Sequence, residues 1–359
     1  MGCMVDKAPD CFHPNENPEE ILTIISKPPN EYYNELLHPF IIQDHPTLNL
    51  TIPPASLRNQ FSSKDLTQKD FPIFSHTTSD LIHFAYKIFQ ISGLDTPKLI
   101  SFLSLINQNY LNNLPFHNFW HGFSVFQMIY VIGSRNSQLN DFLIDKEYMI
   151  LLLAAIGHDV NHPGFNNSFL IATKHDLALK YNNNSVLENH HIYVMLEILK
   201  ASEIFGFEDM KNISLIIIEA ILSTDMACHK KVCDDYLLVL GRFDKGDRGC
   251  RQKFANYLLH CADLGNQALD FQIASLWSLK ILREFNLQVI CEEKYGIQVS
   301  EFLRTGNDIN KIKASQIGFI DNIILPLWVK LAEKVENIED FPEELKRNKK
   351  KWEELKGFE

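Results

Sequence analysis

Residues Met149 to Ile156 read Met-Ile-Leu-Leu-Leu-Ala-Ala-Ile and run directly into Gly157-His158-Asp159-Val160-Asn161-His162-Pro163-Gly164. Eight apolar residues in succession leave a helix here no polar face, so it must be surrounded by protein. The run is far shorter than the ~18 residues of a membrane span. A helix covered on most sides implies a large multi-helix core instead of a four-helix bundle, whose helices each keep a solvent face. The residues after the run matter as much. A His-Asp pair at the end of a buried helix puts an ionisable carboxylate where it is costly unless paired or metal-bound, and neutral imidazole with carboxylate suits Zn²⁺ and other divalent ions. Taken alone, the segment also reads as a Pro-Gly helix stop with an incidental histidine.

Outward from this point the pattern stays helical. Leu81, Ile82, Phe84, Ala85, Ile88 and Phe89 recur at helical spacing, and no period-two strand run or fixed-length repeat appears in the 359 residues. The expected fold class is therefore all-α, a compact multi-helix domain over residues 71–335. Residues 1–70, punctuated by Lys27-Pro28-Pro29-Asn30 and Thr51-Ile52-Pro53-Pro54, are expected to be a loosely helical or partly irregular extension. Residues 336–359, dense in Glu and Lys, read as a charged, solvated C-terminal helix with Lys346 to Lys351 on an exposed face.

The formal net charge of −11 lacks the basic surplus a phosphate backbone requires, so no nucleic acid partner is expected. Seven cysteines without a Cys-x-x-Cys pair fit free thiols in a reducing compartment, and a cytoplasmic protein without a transmembrane segment is expected. Gly2 and Cys3 offer a weak acylation signal, weakened by Asp6 where the myristoylation pattern wants Ser or Thr. The oligomeric state stays open.

Nine of the 14 histidines fall between His117 and His260, mostly inside apolar helical stretches. In His117-Asn118-Phe119-Trp120-His121, the i,i+4 spacing puts both imidazoles on one helix face, as ligands to one centre or as two half-exposed polar residues. In Leu258-Leu259-His260-Cys261-Ala262-Asp263-Leu264-Gly265-Asn266, Asp263 sits among apolar neighbours, neutralised by a cation or capping a local turn. Three such groups sharing one His/Asp vocabulary are better explained jointly by a metal centre.

These blocks resemble the catalytic domain of class I cyclic nucleotide phosphodiesterases, a branch of the metal-dependent HD hydrolases. The resemblance runs from about Phe71 to Ala332. It rests on Phe116-His117-Asn118 with His121, Gly157 to Asn166, Leu177 to Tyr181, Ser185 to His191, Ser223-Thr224-Asp225-Met226 with His229, His260 to Asn266, and Ser315 to Asp321. It implies hydrolysis of cyclic AMP or cyclic GMP to the nucleoside 5′-monophosphate with two divalent metals, Zn²⁺ at the first site and Mg²⁺ or Mn²⁺ at the second. His121, His158, Asp159 and Asp263 match the first-metal ligands, with Asp159 bridging to the second, and His117 matches the general acid. His162, Glu188 and Thr224 match positions that bond metal-bound waters, although Ser185-x-x-Glu188 also carries a capping-box signature. Gln316, Phe319, Ile281 and Phe285 match a purine clamp, and Asn266 a further base contact that tilts the reading toward cyclic AMP.

The sequence also departs from the family. Ser124 stands where an Asp is usual three residues after the metal histidine, which puts rate and metal affinity in question. Phe116 replaces a Tyr, Gln267 a Pro, and the stretch from Asn286 to Lys294 is divergent. A non-catalytic nucleotide-binding homologue would keep the clamp and lose ligands, and an HD hydrolase of another phosphate substrate would keep the metals and lose the clamp.

Overall fold

Thr77 opens the first long helix, α1 (Thr78–Ile91), through a reciprocal cap: the Asp80 amide donates to Thr77 Oγ1 and the Thr77 amide to Asp80 Oδ2. The computed structural model describes residues 48–51, 65–136 and 139–355. Helices follow one another with no strand among the described residues, so the fold is all-α as expected. They are α2 (Lys98–Asn109), α3 (Phe119–Arg135), α4 (Asp145–Gly157), α5 (Val186–Ser202), α6 (Phe207–Leu222), α7 (His229–Leu240), α8 (Arg248–Asp263), α9 (Phe271–Tyr295), α10 (Ile309–Phe319), α11 (Leu325–Ala332) and α12 (Asp340–Glu354), joined by short turns and one-turn helices.

The apolar run decides the architecture as its composition requires. Ile150 to Gly157 on α4 are all buried, and α4 lies against α3, α6 and α8. Its main neighbour α3 is buried from Phe119 to Ile132 and is capped by Asn118, whose side chain accepts the amides of Trp120 and His121. The two helices meet at Gly122. A Cβ there would sit 2.5 Å from Tyr110 Oη and 2.8 Å from the Ile156 carbonyl. Glycine therefore lets α3 press onto the end of α4, which brings His121 beside His158.

Between α10 and α11 the chain widens into a π-turn over Ile320–Ile324. Pro326 has no N–H to give Asn322, so the regular ladder is broken there without ending the helix.

Two expectations are corrected. Residues 65–70 are tied to the main domain, because Leu66 is buried in its core and its carbonyl, with that of Gln68, accepts the Gln127 amide. The rest of the proposed extension, apart from 48–51, lies outside the described residues, as do Gly2 and Cys3. The C-terminal helix is not solvated all round either. Phe341, Leu345, Asn348 and Trp352 form a buried stripe on α12, and Asn348 Nδ2 donates to the carbonyls of Gln267 and Leu269. Lys349 pairs with Asp321 and Lys351 covers the Phe271 ring, so the lysine cluster is partly tied down. The density of Glu and Lys concealed that stripe.

Candidate active site

Four side chains from three places in the chain converge below the end of α4. His121 comes from the first turn of α3, His158 and Asp159 from the turn closing α4, and Asp263 from the last residue of α8. Their ligand atoms all lie within 4.8 Å of one another. His121 Nε2 is 3.2 Å from Asp159 Oδ2 and 3.1 Å from Asp263 Oδ1, and His158 Nε2 is 3.1 Å from the same two oxygens. Tyr110 braces the turn: its hydroxyl donates to the Ile156 carbonyl and accepts the Asp159 amide.

The electrostatics fit a cation. Burial opposes ionisation of Asp159 and Asp263, yet the surrounding histidines hold both carboxyls below their ordinary range. Burial likewise pushes His158 down, and the two carboxylates override it and lift it well above the imidazole norm. His158 donates Nδ1–H to the Ala155 carbonyl at 2.9 Å, which turns Nε2 toward the carboxylates, where a cation would take the place of its proton. His191 is oriented the same way, donating Nδ1–H to the Val160 carbonyl. Its buried Nε2 has no hydrogen-bond partner and lies 3.6 Å from Asp159 Oδ1. A neutral lone pair aimed at that carboxylate is suited to a water held on a cation at Asp159. The donor set, two imidazoles and two carboxylates, is one that Zn²⁺ accepts.

His117 does not share a helix face with His121. It precedes the Asn118 cap, in an irregular stretch, and its ring centre lies 5.8 Å from that of His121. What holds it is Glu284 on α9. Glu284 Oε2 accepts the amides of Phe116 and His117 at 3.0 and 3.2 Å, and Oε1 accepts the His117 Nδ1–H in a short contact. Burial would lower the His117 pKa, but Glu284, with Asp159 and Asp263, raises it to about 9.

His117, His162 and Glu284 also lie close enough to hold an ion. The hydrogen bonds argue otherwise. His162 Nδ1 accepts the Gly164 amide at 2.9 Å, so the proton of this neutral ring is on Nε2, which therefore has no lone pair for a metal. Burial and then the charge of His117 hold His162 well below the imidazole norm, and the two rings stack with centres 4.0 Å apart.

Glu188 is buried, accepts Asn167 Nδ2, and is raised to about 7 by burial and by Asp225. The Ser185-x-x-Glu188 capping box is absent: Ser185 caps nothing and donates instead to Asp225 Oδ2. Thr224 is buried and donates to the Ile221 carbonyl, which leaves its oxygen lone pairs to accept.

Ser278, Ile281 and Phe285 share one face of α9, and Gln316 and Phe319 one face of α10. Ser278 Oγ donates to Gln316 Oε1 at 2.9 Å and accepts Gln267 Nε2, joining the two faces. Ile281, Phe285 and Phe319 are half-buried. Asn266 is placed differently from expectation. It is buried, its Oδ1 2.8 Å from Ser124 Oγ and its Nδ2 3.4 Å from His121 Nδ1, so both ends of the amide are engaged behind a metal-facing histidine and not at the clamp. Reading the sequence also missed Glu284, which with Glu292 is one of two buried carboxylates on α9, and gave no role to His191.

An all-helical core with a buried His/Asp cradle for a divalent cation defines the class. The profile of the 3′,5′-cyclic nucleotide phosphodiesterase family matches residues 116–345, well over half of the chain. A high affinity cGMP-specific 3′,5′-cyclic phosphodiesterase 9A of Drosophila melanogaster is 34% identical over 278 residues, 74% of this chain and 18% of that protein. The 3′,5′-cyclic-nucleotide phosphodiesterase regA of Dictyostelium discoideum is 29% identical over 315 residues, 83% of this chain and 39% of the relative. The crystal structure of the phosphodiesterase domain of the RhoPDE fusion protein from Salpingoeca rosetta superposes with a TM-score of 0.74 at 31% identity, covering 80% of this chain and 94% of that one. The chain belongs to the 3′,5′-cyclic nucleotide phosphodiesterase family. It spans well under half the length of the first two relatives.

Proposed function

We propose that this chain hydrolyses a 3′,5′-cyclic nucleotide to the nucleoside 5′-monophosphate at a two-metal centre. The observation that carries the reading is the convergence of His121, His158, Asp159 and Asp263 within 4.8 Å, beside a histidine held by its own carboxylate. In this reading the four side chains hold Zn²⁺, and Asp159 also faces Mg²⁺ or Mn²⁺. When bound, the two cations supply an activated water and neutralise the cyclic phosphate.

The chain's own residues do the rest. His117 keeps Nδ1–H on Glu284 and gives its Nε2 proton to the departing 3′-oxygen, a poor leaving group without it. His162, Glu188, Thr224 and the Nε2 of His191 bond the waters around the cations. Phe319 stacks on the base against Ile281 and Phe285, while the Gln316 amide meets the purine edge. A reducing, cytoplasmic setting belongs to the same reading and rests on the sequence alone, on seven cysteines without a Cys-x-x-Cys pair.

Assaying the purified protein with cyclic AMP, cyclic GMP and a generic phosphodiester, each with and without Mg²⁺, tests the reading. Metal-dependent turnover of a cyclic nucleotide to the 5′-monophosphate is expected. Binding without turnover would make the chain a nucleotide-binding homologue, and equal turnover of the generic diester would make it an HD hydrolase of another substrate.

A further inference from the structure

The two metal-facing histidines are held by different devices. His158 donates Nδ1–H to a main-chain carbonyl, a partner that can only accept, so Nε2 is the nitrogen left to give up its proton to a metal. His121 presents Nε2 to the same carboxylates, yet its Nδ1 meets the side-chain amide of Asn266. An amide has an accepting end and a donating end of nearly the same shape, and which end meets the ring decides where the imidazole proton resides. With the oxygen toward His121, the amide accepts Nδ1–H and the Nε2 lone pair is free for a metal. With the nitrogen toward it, the sense the structure records, Nδ1 carries the lone pair and Nε2 the proton, so the amide has to turn over before Nε2 can take a metal.

The other end of Asn266 meets Ser124, one turn beyond His121 on the same helix, at 2.8 Å. Ser124 donates to Oδ1 there, which leaves the amide nitrogen toward His121. A hydroxyl both donates and accepts, so it tolerates either sense, whereas a carboxylate at this position would accept only and would turn the nitrogen toward itself and the oxygen toward His121. All three side chains are buried, with 5% exposure or less, so water does not offer an alternative partner of equal weight.

We propose that Ser124 and Asn266 form a hydrogen-bonded relay that sets the tautomer of His121 and thereby tunes the affinity of the centre for its first metal. Asn266 is accordingly a positioning residue acting through His121. Serine in place of a carboxylate leaves the relay less strongly polarised, which weakens metal retention without removing a ligand. The inference rests on the proposed metal centre, but its readout is metal binding, independent of hydrolysis.

The test is an equilibrium competition titration of metal-stripped protein with Zn²⁺ against a chromophoric chelator. Asn266→Leu removes the oxygen that the turned-over amide would offer to His121 Nδ1–H in the metal-bound protein, and should weaken Zn²⁺ by about 10- to 100-fold, the usual cost of losing a partner behind a metal ligand. Asn266→Asp has the same size, accepts from both His121 and Ser124, and should bind Zn²⁺ at least as tightly as the wild type. Ser124→Asp, which fixes the amide sense, should also tighten it. Unchanged Zn²⁺ affinity in Asn266→Leu, or equal weakening in Asn266→Leu and Asn266→Asp, would overturn the relay. If the wild type itself holds no Zn²⁺, the metal centre fails and the relay with it. Melting temperatures in chelator, compared across the three variants, separate loss of metal from loss of fold.

Discussion

Glu284 on α9 closes on His117 with both carboxylate oxygens, one on the ring Nδ1 and the other on the amides of Phe116 and His117. One side chain thus fixes both the direction and the proton affinity of the acid. An acid is active while protonated, so turnover should fall as pH rises through the His117 pKa, about 9. Glu284→Gln removes the largest influence raising that pKa and should move this alkaline limb downward toward the ordinary imidazole range. A kcat–pH profile of the two proteins checks it; a coincident limb would show that His117 is not the titrating acid.

His117→Ala should lower kcat by about 10²–10⁴-fold, the usual worth of general acid catalysis, while bound metal stays. A substrate analogue whose leaving group is too acidic to need a proton should be cleaved almost as well by the variant as by the wild type. Equal loss on both substrates would make His117 a structural residue.

Phe319→Ala addresses the clamp. A base-stacking contact is worth ~1–3 kcal/mol, so KM for the cyclic nucleotide should rise about 5- to 150-fold with a smaller change in kcat, if the contact is made equally in the ground and transition states. A phosphodiester without a base should be unaffected. Parallel losses on both would assign Phe319 to core packing.

The packing account makes its own prediction. Trp352 is fully buried on α12 against Phe271, in the same core as α3 and α4. Trp352→Ala should cost ~3–5 kcal/mol, read in a denaturant titration. A change within ~0.5 kcal/mol, typical of surface positions, would restore the solvated helix that composition alone implied.

How legible the site was depended on whether a residue's chemistry clashed with its neighbours in the chain. His158, Asp159 and Asp263 stand out because charge follows an apolar run, and the structure brings them together. Glu284 did not stand out: Ile281 and Phe285 flank it on a helix with one apolar face, and its meaning comes from a residue 167 positions away. Asn266 was expected at the base and lies behind His121 instead, since local sequence does not say which way an amide after a helix end will turn. The Ser185-x-x-Glu188 signature failed for the converse reason, because Asp225 and Asn167 outcompeted the local cap for both side chains. The all-α fold needed no long-range information, only a buried helix over 149–156 and helical spacing around it.

The central claim is that hydrolysis depends on a cation held by His121, His158, Asp159 and Asp263. Turnover of the cyclic nucleotide by Asp263→Ala, measured with the metal content of the same preparation, tests it most directly. Removing one of four ligands should abolish hydrolysis and strip the transition metal that the wild type retains. Full hydrolysis by Asp263→Ala would contradict the account.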